Sequence, residues 1–143
     1  MHYSQARTFT HMSGEIDSLY HEAAVRIGVS DSVLNILYIV CEKGGQCFQS
    51  DIFRLTGMSR QTINSSIRNL EKSEIVYLEQ GIGRNTIVYL TEKGKRFTEE
   101  KIRPLFEIEN RIWQEWTAEE QEIYLTLTQK YRDTLKKYMK EIG

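Results

Sequence analysis

Apolar positions recur at helical spacing at both ends of the chain and through its middle, and give way to two β-branched runs between residues 75 and 90. Residues 5–28 predict a helix, with Met12, Ile16, Leu19, Ala23 and Ile27 near helical spacing and Gly28 as its stop. Ser30-Asp31-Ser32 supplies caps for a second helix over 33–42, whose Val33, Leu34, Ile36, Leu37, Ile39 and Val40 leave little polar surface. A helix apolar nearly all round is a buried one. Lys43-Gly44-Gly45 predicts a turn and Gln46-Cys47-Phe48 a very short strand. A short helix starts at Ser50 or Asp51 and ends before Gly57; Ser59 caps the next, which runs to Leu70. The runs 75–78 and 86–90 are rich in Ile, Val, Tyr and Thr, and the loop between them holds Gly81 and Gly83, so they predict a hairpin. Thr91 opens a long helix to about Trp116, with a kink expected at Pro104 because proline removes a backbone hydrogen bond. Thr117-Ala118-Glu119-Glu120 fits a capping box and opens a last helix, with Tyr124, Leu127, Tyr131, Leu135, Tyr138 and Ile142 as one apolar stripe.

The helix over 59–70 is the most informative. Ile63, Ile67 and Leu70 stack on one face, while Gln61, Asn64, Ser65 and Arg68 occupy the other. An ordinary amphipathic helix favours Glu and Lys there, for solubility and for i,i+4 pairs. Amides, hydroxyls and an arginine are what base edges and phosphates require. Helix, tight turn, polar-faced helix and hairpin, in that order, make a winged helix-turn-helix able to hold a DNA duplex.

Composition narrows the class without changing this picture. With 40% hydrophobic and 27% charged residues the chain is globular rather than disordered. No apolar run approaches the roughly 20 residues of a membrane span, and the N-terminus lacks a signal-peptide core. Two cysteines do not make a secreted disulfide scaffold, so a cytoplasmic protein with reduced thiols is expected. The net charge of −1 is unevenly placed: residues 51–103 hold ten Lys/Arg against seven Asp/Glu, and the rest nine against thirteen. Duplex affinity comes largely from local phosphate neutralisation, so a modestly basic centre suffices, more so if doubled.

Beside this reading stands a family resemblance. Leu34-x-x-Leu37 in the buried helix, Ser59-Arg60-Gln61-Thr62 and Leu70-Glu71-Lys72 at the two ends of the polar-faced helix, and Leu90-Thr91-Glu92-Lys93-Gly94 after the hairpin carry it. By their order and spacing, roughly residues 15–140 resemble the MarR family of bacterial winged-helix transcription regulators. The resemblance implies a mainly α chain with a small β-hairpin wing: a winged helix-turn-helix over 30–94, between an N-terminal dimerisation helix in 1–29 and C-terminal dimerisation helices in 95–143. It further implies a homodimer that straddles two adjacent major grooves. A small ligand or oxidant would be read in the cleft between the dimerisation and DNA-binding parts. Counted back from Leu90-Thr91, Arg84 falls on the arginine of the family's wing motif, Asp-x-Arg. Ile82 stands where the aspartate that braces it would be, so this wing is held differently or is more mobile.

The expected DNA-contacting residues are therefore Ser59, Arg60, Gln61, Thr62, Asn64, Ser65, Arg68 and Arg84. Among them Gln61 and Arg68 suit base edges, Thr62 phosphate (together with Ser66), and Arg84 the minor groove. The plainer reading of the same residues is a solvated helix face and a solvent-exposed loop charge. Tyr20, His21, Tyr38 and Trp113 are, by the resemblance, candidates to line an effector pocket; ordinary packing explains them equally well. Cys41 and Cys47 suggest redox sensing, against which stands their reading as a small buried hydrophobe and a strand residue. His2, His11 and His21 lie too far apart in sequence for a metal site. No cofactor, metal or catalytic group is expected, since no phosphate-binding loop, nucleophile elbow or H-E-x-x-H motif occurs. The expected function is a sequence-specific regulator, most often a repressor in such families, acting as a homodimer on a pseudo-palindromic operator. Its expected partners are double-stranded DNA and a second copy of the chain, with a small-molecule effector of unnamed identity and no membrane. The alternatives are a winged-helix protein-interaction module and a DNA binder without sequence preference or effector response.

Overall fold

Ser30, Ser59, Thr91 and Thr117, the hydroxyl residues at four of the expected helix starts, each accept a hydrogen bond from the backbone N–H three residues on. Such a cap satisfies a donor the helix leaves unpaired and is worth about 1 kcal/mol. The computed structural model describes residues 3–83 and 85–143. In chain order the elements are α1 (Tyr3–Ile27), α2 (Asp31–Glu42), β1 (Gln46–Phe48), α3 (Gln49–Thr56), α4 (Arg60–Lys72), β2 (Val76–Gln80), β3 (Thr86–Leu90), α5 (Glu92–Lys101), α6 (Arg103–Gln114) and α7 (Ala118–Met139). They form two compact units, residues 1–104 and 105–143. The chain is mainly α with a small winged sheet, as the sequence predicts.

In the first unit α2 is the core helix, with Leu34, Ile36, Leu37, Ile39 and Val40 all buried. Around it lie Ile52 of α3, Ile63, Ile67 and Leu70 of α4, and Val76, Val88 and Leu90 of the strands. Each such side chain, fully buried, contributes about 1.5–3 kcal/mol. The helix α2 begins at Asp31, two residues before the expected start, because Ser30 alone is the cap, its Oγ taking the Val33 N–H at 3.2 Å.

The short strand β1 does more than the sequence suggests. It pairs antiparallel with β3, which pairs with β2, giving a three-stranded sheet in the order β1-β3-β2. Cys47 pairs with Val88 and Val88 with Leu78, all on the inward face. On the outward face Tyr77 stacks on Tyr89 at 5.0 Å. The strand β2 runs to Gln80, two residues past the predicted run, which leaves residues 81–85 as the wing loop.

The Leu-Thr-x-x-Gly run after the wing has a packing reason. Thr91 Oγ1 donates to the Glu74 carbonyl at 2.5 Å and caps α5. A side chain at Gly94 would run into the Ile75 carbonyl oxygen, so only glycine lets α5 lie this close to the start of β2. The long fifth helix of the sequence reading is two helices. The break is at Ile102, and Pro104 falls in the first turn of α6, where its missing N–H costs no helical hydrogen bond.

The second unit is a helical corner. Trp113 and Trp116 pack at 5.0 Å, and Tyr124 meets their rings edge-on at 5.7 and 5.1 Å. Gln121 Nε2 donates to the Trp113 carbonyl at 2.6 Å, and the expected capping box between Thr117 and Glu120 is formed. Among the described residues no member of α6 or α7 is buried, and Ile108, Ile112, Leu127, Tyr131, Leu135 and Tyr138 are exposed.

Candidate nucleic-acid interface

The geometry of the helix-turn-helix is set by the turn between α3 and α4. Gly57 ends α3 in the left-handed region, at φ +68°, a conformation that favours glycine. Thr56 Oγ1 donates back to the Ile52 carbonyl at 2.8 Å and accepts from the Met58 N–H at 3.3 Å, which fixes the turn. Ser59 then starts α4, accepting from the Thr62 N–H at 3.1 Å and donating to Thr62 Oγ1 at 2.8 Å. The apolar face of α4 is locked into the core by Ile63, Ile67 and Leu70.

The outward face of α4 separates the candidate residues by what they already do. The side chains of Gln61, Ser65 and Arg68 are exposed and, among the described residues, have no hydrogen-bond or ion-pair partner. These are the groups most available to another molecule. Asn64 is half-buried, and its Oδ1 accepts from Gln49 Nε2 of α3 at 2.8 Å, so its amide N–H groups are what it has left to offer. Ser59 and Thr62 are exposed but bonded to each other at the helix start. Arg60 lays its guanidinium over the Phe53 ring, 4.5 Å from the centroid. That stacking orders the side chain beside the turn.

Ser66, expected to meet phosphate, is placed otherwise. It is 6% exposed, and its Oγ lies 2.6 Å from Ser32 Oγ of α2. It joins α4 to the core helix α2 and is not open to a ligand. The helical spacing carried the signal: Ser66 is three residues after Ile63 and four before Leu70, on the apolar face.

In the wing, Arg84 lies outside the described residues, so its expected minor-groove role keeps only its sequence position. The wing loop is held by contacts that sequence reasoning missed. The Gly81 N–H donates to the Asn85 carbonyl at 2.6 Å, closing the loop, and Gln80 Nε2 donates to the Gly83 carbonyl at 3.1 Å. A side chain at Gly81 would meet the Asn85 oxygen at 2.8 Å and the Ile87 side chain at 3.1 Å. Ile82, which by the resemblance stands where the family's bracing aspartate would be, is 97% exposed. The wing is thus held differently, through Gln80.

The expected effector residues do not share one unit. His21 of α1 is exposed, with Nδ1 2.9 Å from Asp31 Oδ1 at the start of α2. Tyr20 is exposed on α1 and Tyr38 is half-buried on α2. Trp113 belongs to the second unit, where it packs on Trp116 and Tyr124. The thiols are poor candidates for reactive sites. Burial pushes Cys47 up to about 11, helped by the Asp51 carboxylate and opposed by Lys43. Burial also pushes Cys41 up, against a hydrogen bond with Thr98 and with the Glu99 carboxylate adding to it. A thiol kept protonated is a weak nucleophile. Among the described residues no group of three or more His, Cys, Asp or Glu is arranged to hold a metal ion, and no single helix is long and apolar enough to cross a membrane.

Comparison with known proteins agrees with this architecture. A family model described as MarR family matches residues 27–83, which include α2, α3, α4 and β2. An uncharacterized protein of Pyrococcus horikoshii is 36% identical over 66 residues, a match spanning 46% of this chain and 20% of that protein's length. The solved structure of NMB1585, a MarR family regulator from Neisseria meningitidis, aligns with a TM-score of 0.85 over 97% of this chain and 99% of that one, at 14% identity. A putative MarR family transcriptional regulator from Listeria monocytogenes, solved with a 26mer DNA, aligns with a TM-score of 0.71 over 96% and 95% of the two chains, at 20% identity. The helix-turn-helix region is thus similar in sequence to the MarR family, and the winged-helix fold of MarR family structures is shared along nearly the whole chain.

Proposed function

We propose that the chain is a sequence-specific DNA-binding repressor of transcription that works as a homodimer on a pseudo-palindromic operator. The observation that carries this reading is the outward face of α4. Gln61, Ser65 and Arg68 have no partner among the described residues, on a helix whose other face is fixed in the core. Polar groups held on a rigid element and left unsatisfied suit bidentate contacts to base edges. Ser59 and Thr62 at the helix start, Arg60 and Asn64 beside it, and Arg84 in the wing would supply the phosphate, base-edge and minor-groove contacts around them. The Listeria relative seen with DNA supports the assignment of the fold to this task.

Residues 30–94 would then be the DNA-reading part, and residues 1–29 and 95–143 the dimerisation helices. Exposed Met12, Ile16 and Leu19 on α1 and Leu127, Tyr131 and Leu135 on α7 support the second copy. Two α4 helices about one turn of DNA apart meet a pseudo-palindrome. An effector, read near Tyr20, His21 and Tyr38, would release the DNA by binding more tightly to dimers with the wrong helix spacing.

The test is a fluorescence-anisotropy titration of wild type and Arg68→Ala against the palindromic duplex upstream of the chain's own gene, with a scrambled duplex as control. Wild type should prefer the palindrome by about 10³ or more. Arg68→Ala should lose about 1–3 kcal/mol on that duplex with unchanged thermal unfolding, because Arg68 is exposed. Equal weak binding to both duplexes would leave a non-specific binder, and no binding at low salt would move the reading to a protein-docking module.

A further inference from the structure

We propose that Ile82 is an apolar DNA contact: the wing presents it to the minor groove beside the base pairs read by α4, where it lies against sugar and base-edge carbons, and Gln80 is the positioning residue that holds it there. The proposal rests on the DNA-binding reading above.

Ile82 is 97% exposed, more than any other large apolar side chain among the described residues. Single exposed aliphatics are ordinary on protein surfaces, so exposure alone decides nothing. What distinguishes Ile82 is that the loop around it is built. The Gly81–Asn85 hydrogen bond closes the loop on one side and the Gln80 amide holds the Gly83 carbonyl on the other. Between those two ties the side chain is displayed rather than folded back on the sheet. Its neighbours in sequence are both glycines. At Gly83, with φ +75°, the space a side chain would fill is open, so nothing beside Ile82 obstructs a close approach from outside.

Charge favours DNA as the occupant. From Gln80 to Thr86 the sequence contains no carboxylate, and its single charged residue is Arg84. A loop that is neutral or positive throughout meets no repulsion between phosphate rows. The walls of the minor groove are largely deoxyribose carbons, and apolar residues including isoleucine are used there by minor-groove binders. An aliphatic tip in a loop whose sequence carries a cation and no carboxylate therefore suits both the walls of the groove and its negative potential.

The experiment uses the full chain and two labelled duplexes. One is the palindromic duplex upstream of its own gene; the other is that duplex trimmed to the outer edges of the two half-sites. On the long duplex I82A should bind about fivefold more weakly, the loss expected from partial burial of an isoleucine. The dependence of affinity on salt should not change, since a neutral side chain releases no counterions. On the trimmed duplex the two proteins should bind equally. Gln80→Ala should show the same loss, and Q80A combined with I82A should lose no more than I82A, because Gln80 acts through Ile82. Equal affinity of wild type and I82A on the long duplex, or the same loss on both duplexes, would overturn the contact while leaving the DNA reading intact. A wild-type chain that binds neither duplex would overturn both.

Discussion

The middle of this chain and its ends use apolar residues in opposite ways. From α2 to β3 the apolar residues at core spacing are inside: Ile36, Leu37, Val40, Ile52, Ile63 and Val88 are each fully buried. In α1, α6 and α7 many of the apolar residues at helical spacing stay outside, with Met12, Ile16, Leu19, Ile112, Leu127 and Leu135 all exposed. The contrast is not one of hydrophobicity but of closure. The winged helix-turn-helix closes a core of its own, and the outward face of α4 is left polar. The terminal helices hold apolar surface that a single copy does not cover, and such surface marks an interface. On the function proposed above, one region reads and the other is paired.

Breaking the terminal side should have the largest effect. Leu127→Glu together with Leu135→Glu places charge in the exposed stripe of α7. We expect a monomer by size-exclusion chromatography with light scattering. Affinity for the palindrome should fall about 10²-fold or more as the linked second half-site is lost. A double variant that remains dimeric would remove α7 from the interface.

Breaking the central side from within should cost stability instead. Gly94→Ala drives a methyl group into the Ile75 carbonyl, so urea unfolding should show a loss of about 3 kcal/mol, the upper end for overpacking. Unchanged stability would mean that α5 moves away from β2 at no cost.

Ser65 and Ser66 sharpen the comparison at neighbouring positions. Ser66→Ala removes the bond to Ser32 and should lower stability by about 1 kcal/mol while the folded protein keeps its DNA affinity. Ser65→Ala should do the reverse, because Ser65 is exposed. Interchanged results would show that the outward face of α4 is misassigned.

The smallest effect concerns Cys47. Its thiol titrates at about 11 in the folded chain and near 9.0 when unfolded, so the folded state holds the proton more tightly. That contribution is full below pH 9.0 and is lost as pH rises to about 11. Cys47→Ala should therefore flatten the decline of stability across this window, and identical pH profiles would show that the thiol is not protected.

Local features of this fold were legible in the sequence, and distant ones less so. The caps at Ser30, Ser59, Thr91 and Thr117 are local hydrogen bonds and followed from the residues themselves. The place of β1 in the sheet was not legible, because a three-residue strand takes its identity from partners about forty positions away, Gln46 opposite Tyr89. The break at Ile102 came two residues before the proline that causes it, since Pro104 fits the start of a new helix better than the middle of an old one. On α4, spacing placed Gln61, Ser65 and Arg68 on the exposed face, but a polar residue type misled at Ser66, where position on the helix was the better guide. The Gln80 brace depends on the loop's shape and could be read only after the hairpin was in place.

On the function proposed above, two copies, joined by their terminal helices, read one duplex with two α4 helices. The most direct test is the sedimentation mass of the complex formed on the palindromic duplex at concentrations just above its dissociation constant. Two chains per duplex in a single cooperative step are expected, with no species carrying one chain. One chain per duplex, or two binding independently, would contradict it.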